Sequence, residues 1–187
     1  MNLQNNEHND ETPEIFFQNI KTNLEYYFFY IVDLIFGRNH IDKVLNHLYI
    51  GNIYTALNED ILIENNIEVI VNCTTDIPFL ENDFIKDGYR CPLEDDKSKE
   101  QIDNMLASLD SILDIIRGHT ENKQNVFIHC RAGVQRSATI VVGYLMKYNH
   151  MSLGRAMTYL KHIRDCVFYP QPNFIESLQK YEQTLKS

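Results

Sequence analysis

The chain has 187 residues, 44% of them hydrophobic, and a formal net charge of −9. That length and apolar content suit one domain with its own core plus an extension. The acidic balance argues against nucleic acid or an anionic membrane as a partner, because both are bound through clustered Lys and Arg.

The opening stretch MNLQNNEHNDETPE is polar and acidic and reads as a disordered start. It lacks the basic and apolar regions of a signal peptide, so a reducing setting, cytoplasm or nucleus, is expected. Residues 13–36 read as one long helix, with Thr12 as N-cap, Pro13 at the first helical position and Gly37 as the stop. At 1.5 Å per residue it would be about 36 Å long, enough to cross a bilayer. Lys21, Glu25 and Asp33 within it argue against spanning. Phe17, Ile20, Leu24, Phe28, Ile31 and Ile35 form an apolar stripe. Tyr26, Tyr27, Phe29, Tyr30, Val32 and Phe36 widen it past what a soluble monomer exposes. Three occupants stay open: the rest of the chain, a second copy in a homodimer through helix 13–36, or a membrane surface or other protein. Scarcity of Lys and Arg makes the membrane the weakest of these.

Residues 1–40 are therefore expected to be an extension and 41–187 a compact α/β unit. Within that unit Leu48–Ile50 reads as a short strand, NEDILIENN as a helix, Val69–Asn72 as a strand and YRCPL as another. Ile102, Met105, Leu106, Leu109, Ile112, Leu113 and Ile116 recur at helical spacing, with a Ser98/Gln101 capping box in front and Gly118 as the expected stop. Val126–Ile128 reads as a buried strand and Ser137–Tyr148 as a helix. Two more helices follow, one capped by Ser152 and one after Pro172. Strands alternating with helices predict a central, mostly parallel sheet flanked on both faces.

The loop between Ile128 and Ser137 concentrates the chemistry. A strand-to-helix loop can converge its N–H groups on a tetrahedral dianion, and the helix that follows adds its positive dipole end. Gly133 permits the tight path. Cys130 would sit at the base of this cradle, where donors and dipole favour thiolate. Arg136 offers a planar fork that takes two phosphate oxygens at once. The alternative is a buried core cysteine and an ordinary helix-start arginine, against which stands the full pattern H-C-x-x-G-x-x-R-S. The four cysteines, Cys73, Cys91, Cys130 and Cys166, include no C-x-x-C pair, so neither a zinc site nor a disulfide framework is suggested.

This loop resembles the signature of the cysteine-dependent protein tyrosine phosphatase superfamily, and AGVQRSAT followed by YLM resembles its dual-specificity branch. LYIGNIYTAL, IEVIVNCT and FYPQPNFIESLQKYE resemble the opening strand, second core strand and closing helix of that branch, so the likeness runs from about Ile41 to Glu182. It implies a phosphatase-like fold and phosphoprotein substrates bearing phosphotyrosine, phosphoserine or phosphothreonine. It also implies a phosphocysteine intermediate with no metal and no cofactor. Cys130 is then the nucleophile. Backbone amides from Arg131, Ala132, Gly133, Val134, Gln135 and Arg136 bind the phosphate, with the Arg136 side chain as clamp. Ser137 eases departure of the sulfur. The leaving oxygen needs a proton, and the family's register selects Asp95 from the run CPLEDD, with Asp96 as competitor. His129 reads as an orienting group rather than a base, since a strand neighbour points to the opposite face. Gln135 departs from the small or hydroxyl residue usual there. Other readings are a phosphoinositide or RNA 5′-phosphatase, or a phosphate-binding scaffold without turnover. Finally, Cys73 at a strand end is a candidate partner for an oxidised Cys130, as in some members of the superfamily.

Overall fold

The computed structural model describes residues 40–186 together with Lys21, Leu24, Tyr27, Phe28, Tyr30, Ile31, Leu34 and Ile35. Those eight positions are helical; the rest of the expected helix 13–36, and the disordered start, lie outside the described residues. Leu24, Tyr27, Phe28, Ile31, Leu34 and Ile35 are exposed. Tyr30 stacks on His40 and packs against Tyr54.

Five strands form one sheet: β1 (Ile41–Leu45), β2 (Leu48–Gly51), β3 (Ile67–Asn72), β4 (Asp87–Arg90) and β5 (Asn125–His129). Their order is β1-β2-β5-β3-β4, with β1 antiparallel to β2 and every other pairing parallel. The expected mostly parallel sheet is therefore present, and β5, the strand leading into Cys130, lies at its centre. From residue 40 onward the described residues form six helices around it: α1 (Ile53–Ala56), α2 (Glu59–Glu64), α3 (Lys99–Glu121), α4 (Arg136–Tyr148), α5 (Leu153–Ile163) and α6 (Ile175–Thr184).

The alternation of side chains along β5 divides the core in two. Val126, Ile128 and Cys130 face the large cluster built with Met105 and Leu109 of α3, Val141 and Leu145 of α4, Leu160 of α5 and Leu178 of α6. Phe127 faces a smaller cluster with Ala56, Leu62, Ile67 and Ile70. Among the described residues no helix is long and apolar enough to cross a membrane.

Several expected boundaries move. The strand expected over YRCPL sits upstream, at Asp87–Arg90; Cys91 still donates its amide to Asn72, but Pro92 has no N–H to extend the ladder. Helix α3 runs through Gly118 to Glu121, because a helix interior tolerates one exposed glycine; the turn comes at Lys123, in the left-handed region at φ 60°. Its capping box is half formed. Ser98 Oγ accepts from Gln101 N, but the Gln101 side chain accepts from Glu94 N, and Ser98 N donates to Asp96. Ser152 precedes α5 without a side-chain cap, and Leu153 N donates to Glu182 at 2.7 Å instead. The edge strand β1 has no counterpart among the expected elements.

Candidate active site

The loop from Cys130 to Gln135 joins the central strand to α4, and its shape follows from where its carbonyls go. Arg131 O accepts from Ile53 N (3.1 Å), Gly133 O from Arg164 Nε (3.1 Å), Val134 O from Phe168 N (2.9 Å) and Gln135 O from Thr139 N (2.9 Å). A trans peptide points its N–H opposite to its C=O. Carbonyls tied to the surrounding scaffold therefore turn the amides of Ala132, Val134, Gln135 and Arg136 toward the loop's interior, at the N-terminus of a 13-residue helix. Gly133 is required: its φ is +68°, and a Cβ there would lie 2.5 Å from Gly51 O. Behind it, Arg164 is held by an ion pair with Asp42 at 2.7 Å, both buried.

Cys130 lies beneath this loop, fully buried, and Ser137 Oγ donates to its sulfur at 3.3 Å. Burial pushes the thiol up. The Arg136 charge and hydrogen bonds from the Ser137 hydroxyl and amide outweigh that, against a smaller contribution from Asp95, so the thiol is held below its ordinary value. Arg136 is 4% exposed; Nη1 donates to Leu93 O at 2.9 Å, and Nε has no hydrogen-bond partner among the described residues. A buried guanidinium donor without a partner costs about 1–3 kcal/mol, which an oxyanion in the cradle would recover.

The two candidate acids separate clearly. Asp95 Oδ2 is 3.6 Å from Arg136 Nε, and Oδ1 accepts from Asn173 Nδ2 at 2.8 Å. Asp96 instead faces solvent and caps the turn ahead of α3 through Ser98, whose hydrogen bonds lower its pKa. His129 is buried and stacks on Phe127, on the sheet face opposite Cys130. Burial, with the Arg90 and Arg136 charges adding to it against a contact with the Cys130 backbone, pushes its pKa down to about 3. It is neutral at physiological pH and far too weak a base to hold a proton there.

Arg131 stands apart from the rest. Its Nη2 donates to both carboxylate oxygens of Asp76, at 2.7 and 2.6 Å, so the side chain braces the loop from outside while only its backbone belongs to the cradle. Asp76 sits in a turn fixed by Asn72 and Arg90, which bond Thr74 and Ile77. Gln135 is buried; its Nε2 donates to Tyr169 O and Gln171 O, and its Oε1 accepts from Asn173 N. A cavity of about 660 Å³ opens beside the loop, lined by Asp95, Ala132, Val134, Asp165, Tyr169 and Asn173 among others, with no Lys or Arg in its lining among the described residues. Asp42, Asp76, Arg164 and Asn173 are site-shaping residues that the sequence reading did not single out. Only the position of Asn173 at the foot of α6, inside the stretch that resembled the family, pointed that way.

Residues 48–184 match the family model of the dual specificity phosphatase catalytic domain. Dual specificity protein phosphatase 8 from Homo sapiens is 32% identical over 148 residues, which cover 78% of this chain but 23% of that protein. Dual specificity protein phosphatase 1B from Arabidopsis thaliana is 29% identical over 154 residues, 82% of this chain and 88% of that one. Among solved structures, human DUSP28 aligns with a TM-score of 0.71 at 25% identity, covering 80% of this chain and 97% of that chain.

Proposed function

We infer the activity from the family to which the chain belongs, the dual specificity phosphatases: it is a protein phosphatase that hydrolyses phosphotyrosine, phosphoserine and phosphothreonine. The phosphocysteine mechanism is general to that family. One observation carries the assignment of residues, namely a buried Cys130 thiol that receives the Ser137 hydroxyl beneath a loop in which the carbonyls of Arg131, Gly133 and Val134 are drawn outward.

In the first step Cys130 thiolate attacks phosphorus in line, and Asp95 gives its proton to the departing oxygen. In the second step Asp95, now a base, takes a proton from water, which attacks the phosphocysteine and expels the thiolate. The Ser137 hydroxyl stabilises that departing sulfur. The inward amides and Arg136 hold the equatorial oxygens throughout, matching the charge that builds on them. His129, neutral and turned away, keeps an orienting role. Residues 41–187 act as the catalytic unit and 1–40 as an extension, in the reducing cytoplasm or nucleus where a thiolate survives.

The cavity beside the cradle favours a singly phosphorylated peptide over a phosphoinositide or an RNA 5′ end. Among the described residues it offers Asp165 and no cation for a second phosphate, and Arg131 is already engaged by Asp76. The intact set Cys130, Asp95 and Arg136 likewise favours turnover over a binding scaffold.

Aryl phosphate hydrolysis separates these readings. Wild type should turn over in the presence of a chelator, and Cys130→Ser should be inactive while still retaining phosphoproteins from a lysate. Activity that persists in Cys130→Ser, or that a chelator abolishes, overturns the assignment.

A further inference from the structure

Gln135 is where this chain departs from the family's usual small residue, and the structure gives the extra length something to do. Its amide spans three backbone groups: Nε2 donates to Tyr169 O at 3.1 Å and Gln171 O at 3.0 Å, while Oε1 accepts from Asn173 N at 3.0 Å. A primary amide has two donors and one carbonyl acceptor, and all three are used here. The segment 169–173 is thereby tied to the phosphate loop at the first turn of α4. From that segment the Asn173 side chain reaches Asp95 across 78 positions of sequence, Nδ2 donating to Oδ1 at 2.8 Å.

We propose that Gln135 and Asn173 form a positioning relay that fixes Asp95 relative to the phosphate cradle and selects which of its oxygens carries the proton. An N–H donor occupies an acceptor lone pair of Oδ1, so the acidic proton belongs on Oδ2. Oδ2 is the oxygen on the Arg136 side, 3.6 Å from Nε, toward the cradle in which the proposed reaction takes place. A carboxyl on an exposed loop would otherwise rotate and present either oxygen. Neither Gln135 nor Asn173 touches the transferred phosphoryl group through its side chain; both act through Asp95. The inference rests on Asp95 being the acid.

A double-mutant cycle tests it with two substrates. One is a phosphoserine peptide, whose alkoxide must be protonated; the other is an aryl phosphate whose phenol ionises below neutral pH and departs unaided. Loss of a general acid costs about 10²–10⁴ in rate, and a misplaced one a fraction of that. Asn173→Ala should therefore lower kcat on the peptide on the order of 10-fold, change the aryl substrate by less than about 2-fold, and leave vanadate inhibition unaltered. Gln135→Ser, whose own amide stays in the cradle, should lower kcat on the peptide more than on the aryl phosphate and serves if Asn173→Ala does not fold. In an Asp95→Asn background neither substitution should cost anything further, because the residue they position is already inert. Equal losses on both substrates, or losses that persist in Asp95→Asn, overturn the relay while leaving the acid assignment standing. If Asp95→Asn alone spares the peptide, the acid assignment itself falls, and the relay with it.

Discussion

Ser137→Ala isolates the one hydrogen bond among the described residues that reaches the sulfur of Cys130, the proposed nucleophile, from a side chain. The hydroxyl stands 3.3 Å from Cys130 Sγ, both atoms in fully buried residues. The substitution removes about one methyl-sized oxygen and leaves no stranded partner other than sulfur, itself a weak acceptor, so the fold should lose no more than about 1 kcal/mol. The effect on chemistry is larger. Hydrogen bonds to charged groups are worth about 1.5–3 kcal/mol, and sulfur's weakness as an acceptor places this one at the low end. At about 1.4 kcal/mol per decade, roughly a tenfold drop in the thiolate-to-thiol ratio follows. The sign is fixed by the roles of the groups: burial raises the thiol pKa, Arg136 and Ser137 lower it, so losing Ser137 moves it up. The rate of alkylation by iodoacetate, followed against pH, should therefore rise at higher pH in the variant than in wild type. In the proposed mechanism the same hydroxyl supports the sulfur when it leaves phosphocysteine. The second step should slow by a similar factor, and with a substrate whose leaving group departs easily the first turnover should appear as a burst of phenol. An alkylation profile superimposable on wild type, without a burst, would refute this account of Cys130.

Gly133→Ala forces a side chain into φ +68° and places its Cβ 2.5 Å from Gly51 O and 2.8 Å from Gly51 C, both backbone atoms that cannot swing aside. The left-handed conformation alone costs about 1 kcal/mol; with the clash, vanadate affinity should fall more than about 10-fold, and unchanged affinity in a competition assay would show that the loop's path is not what binds the oxyanion. Cys73 is buried, within electrostatic reach of both Cys130 and Cys91, and ends the strand beside Cys130, its amide donating to His129 O at 2.8 Å. Mild peroxide should convert Cys130 to a sulfenic acid that condenses with the Cys73 thiol, releasing water; peptide mapping should find that link, and sulfinic acid at Cys130 beside free Cys73 would exclude it. Leu24, Tyr27, Phe28, Ile31, Leu34 and Ile35 form an exposed apolar stripe on the N-terminal helix. Sedimentation of the full chain should show a concentration-dependent dimer that Leu24→Glu with Ile31→Glu converts to an active monomer, whereas a monomeric wild type would assign the stripe to another occupant.

What could be read from the sequence depends on how far apart the cooperating atoms lie along the chain. Cys130, Gly133, Arg136 and Ser137 fall within eight consecutive residues between a buried strand and a helix, so their spacing alone encodes the cradle. Strand β1 was illegible for the opposite reason. Its inward positions are Asp42 and Val44, and an inward Asp looks like a loop until Arg164, 122 residues away, arrives to pair with it. Gly118 misled because glycine is permissive everywhere but required only where a Cβ would collide. Nothing lies within 4 Å of a Cβ at Gly118, while Gly133 meets backbone at once. The choice between Asp95 and Asp96 shows the same limit at the site itself. Adjacent carboxylates in an acidic loop are equivalent to any local rule, and what distinguishes them is which one the rest of the chain grips. Asn173 and Arg136 grip Asp95, and Ser98 takes Asp96 for a turn. Gln135 stood out in the sequence only as an odd residue at a familiar position. Its meaning lies in three backbone groups some 34 to 38 residues downstream, which no rule local to the motif can reach.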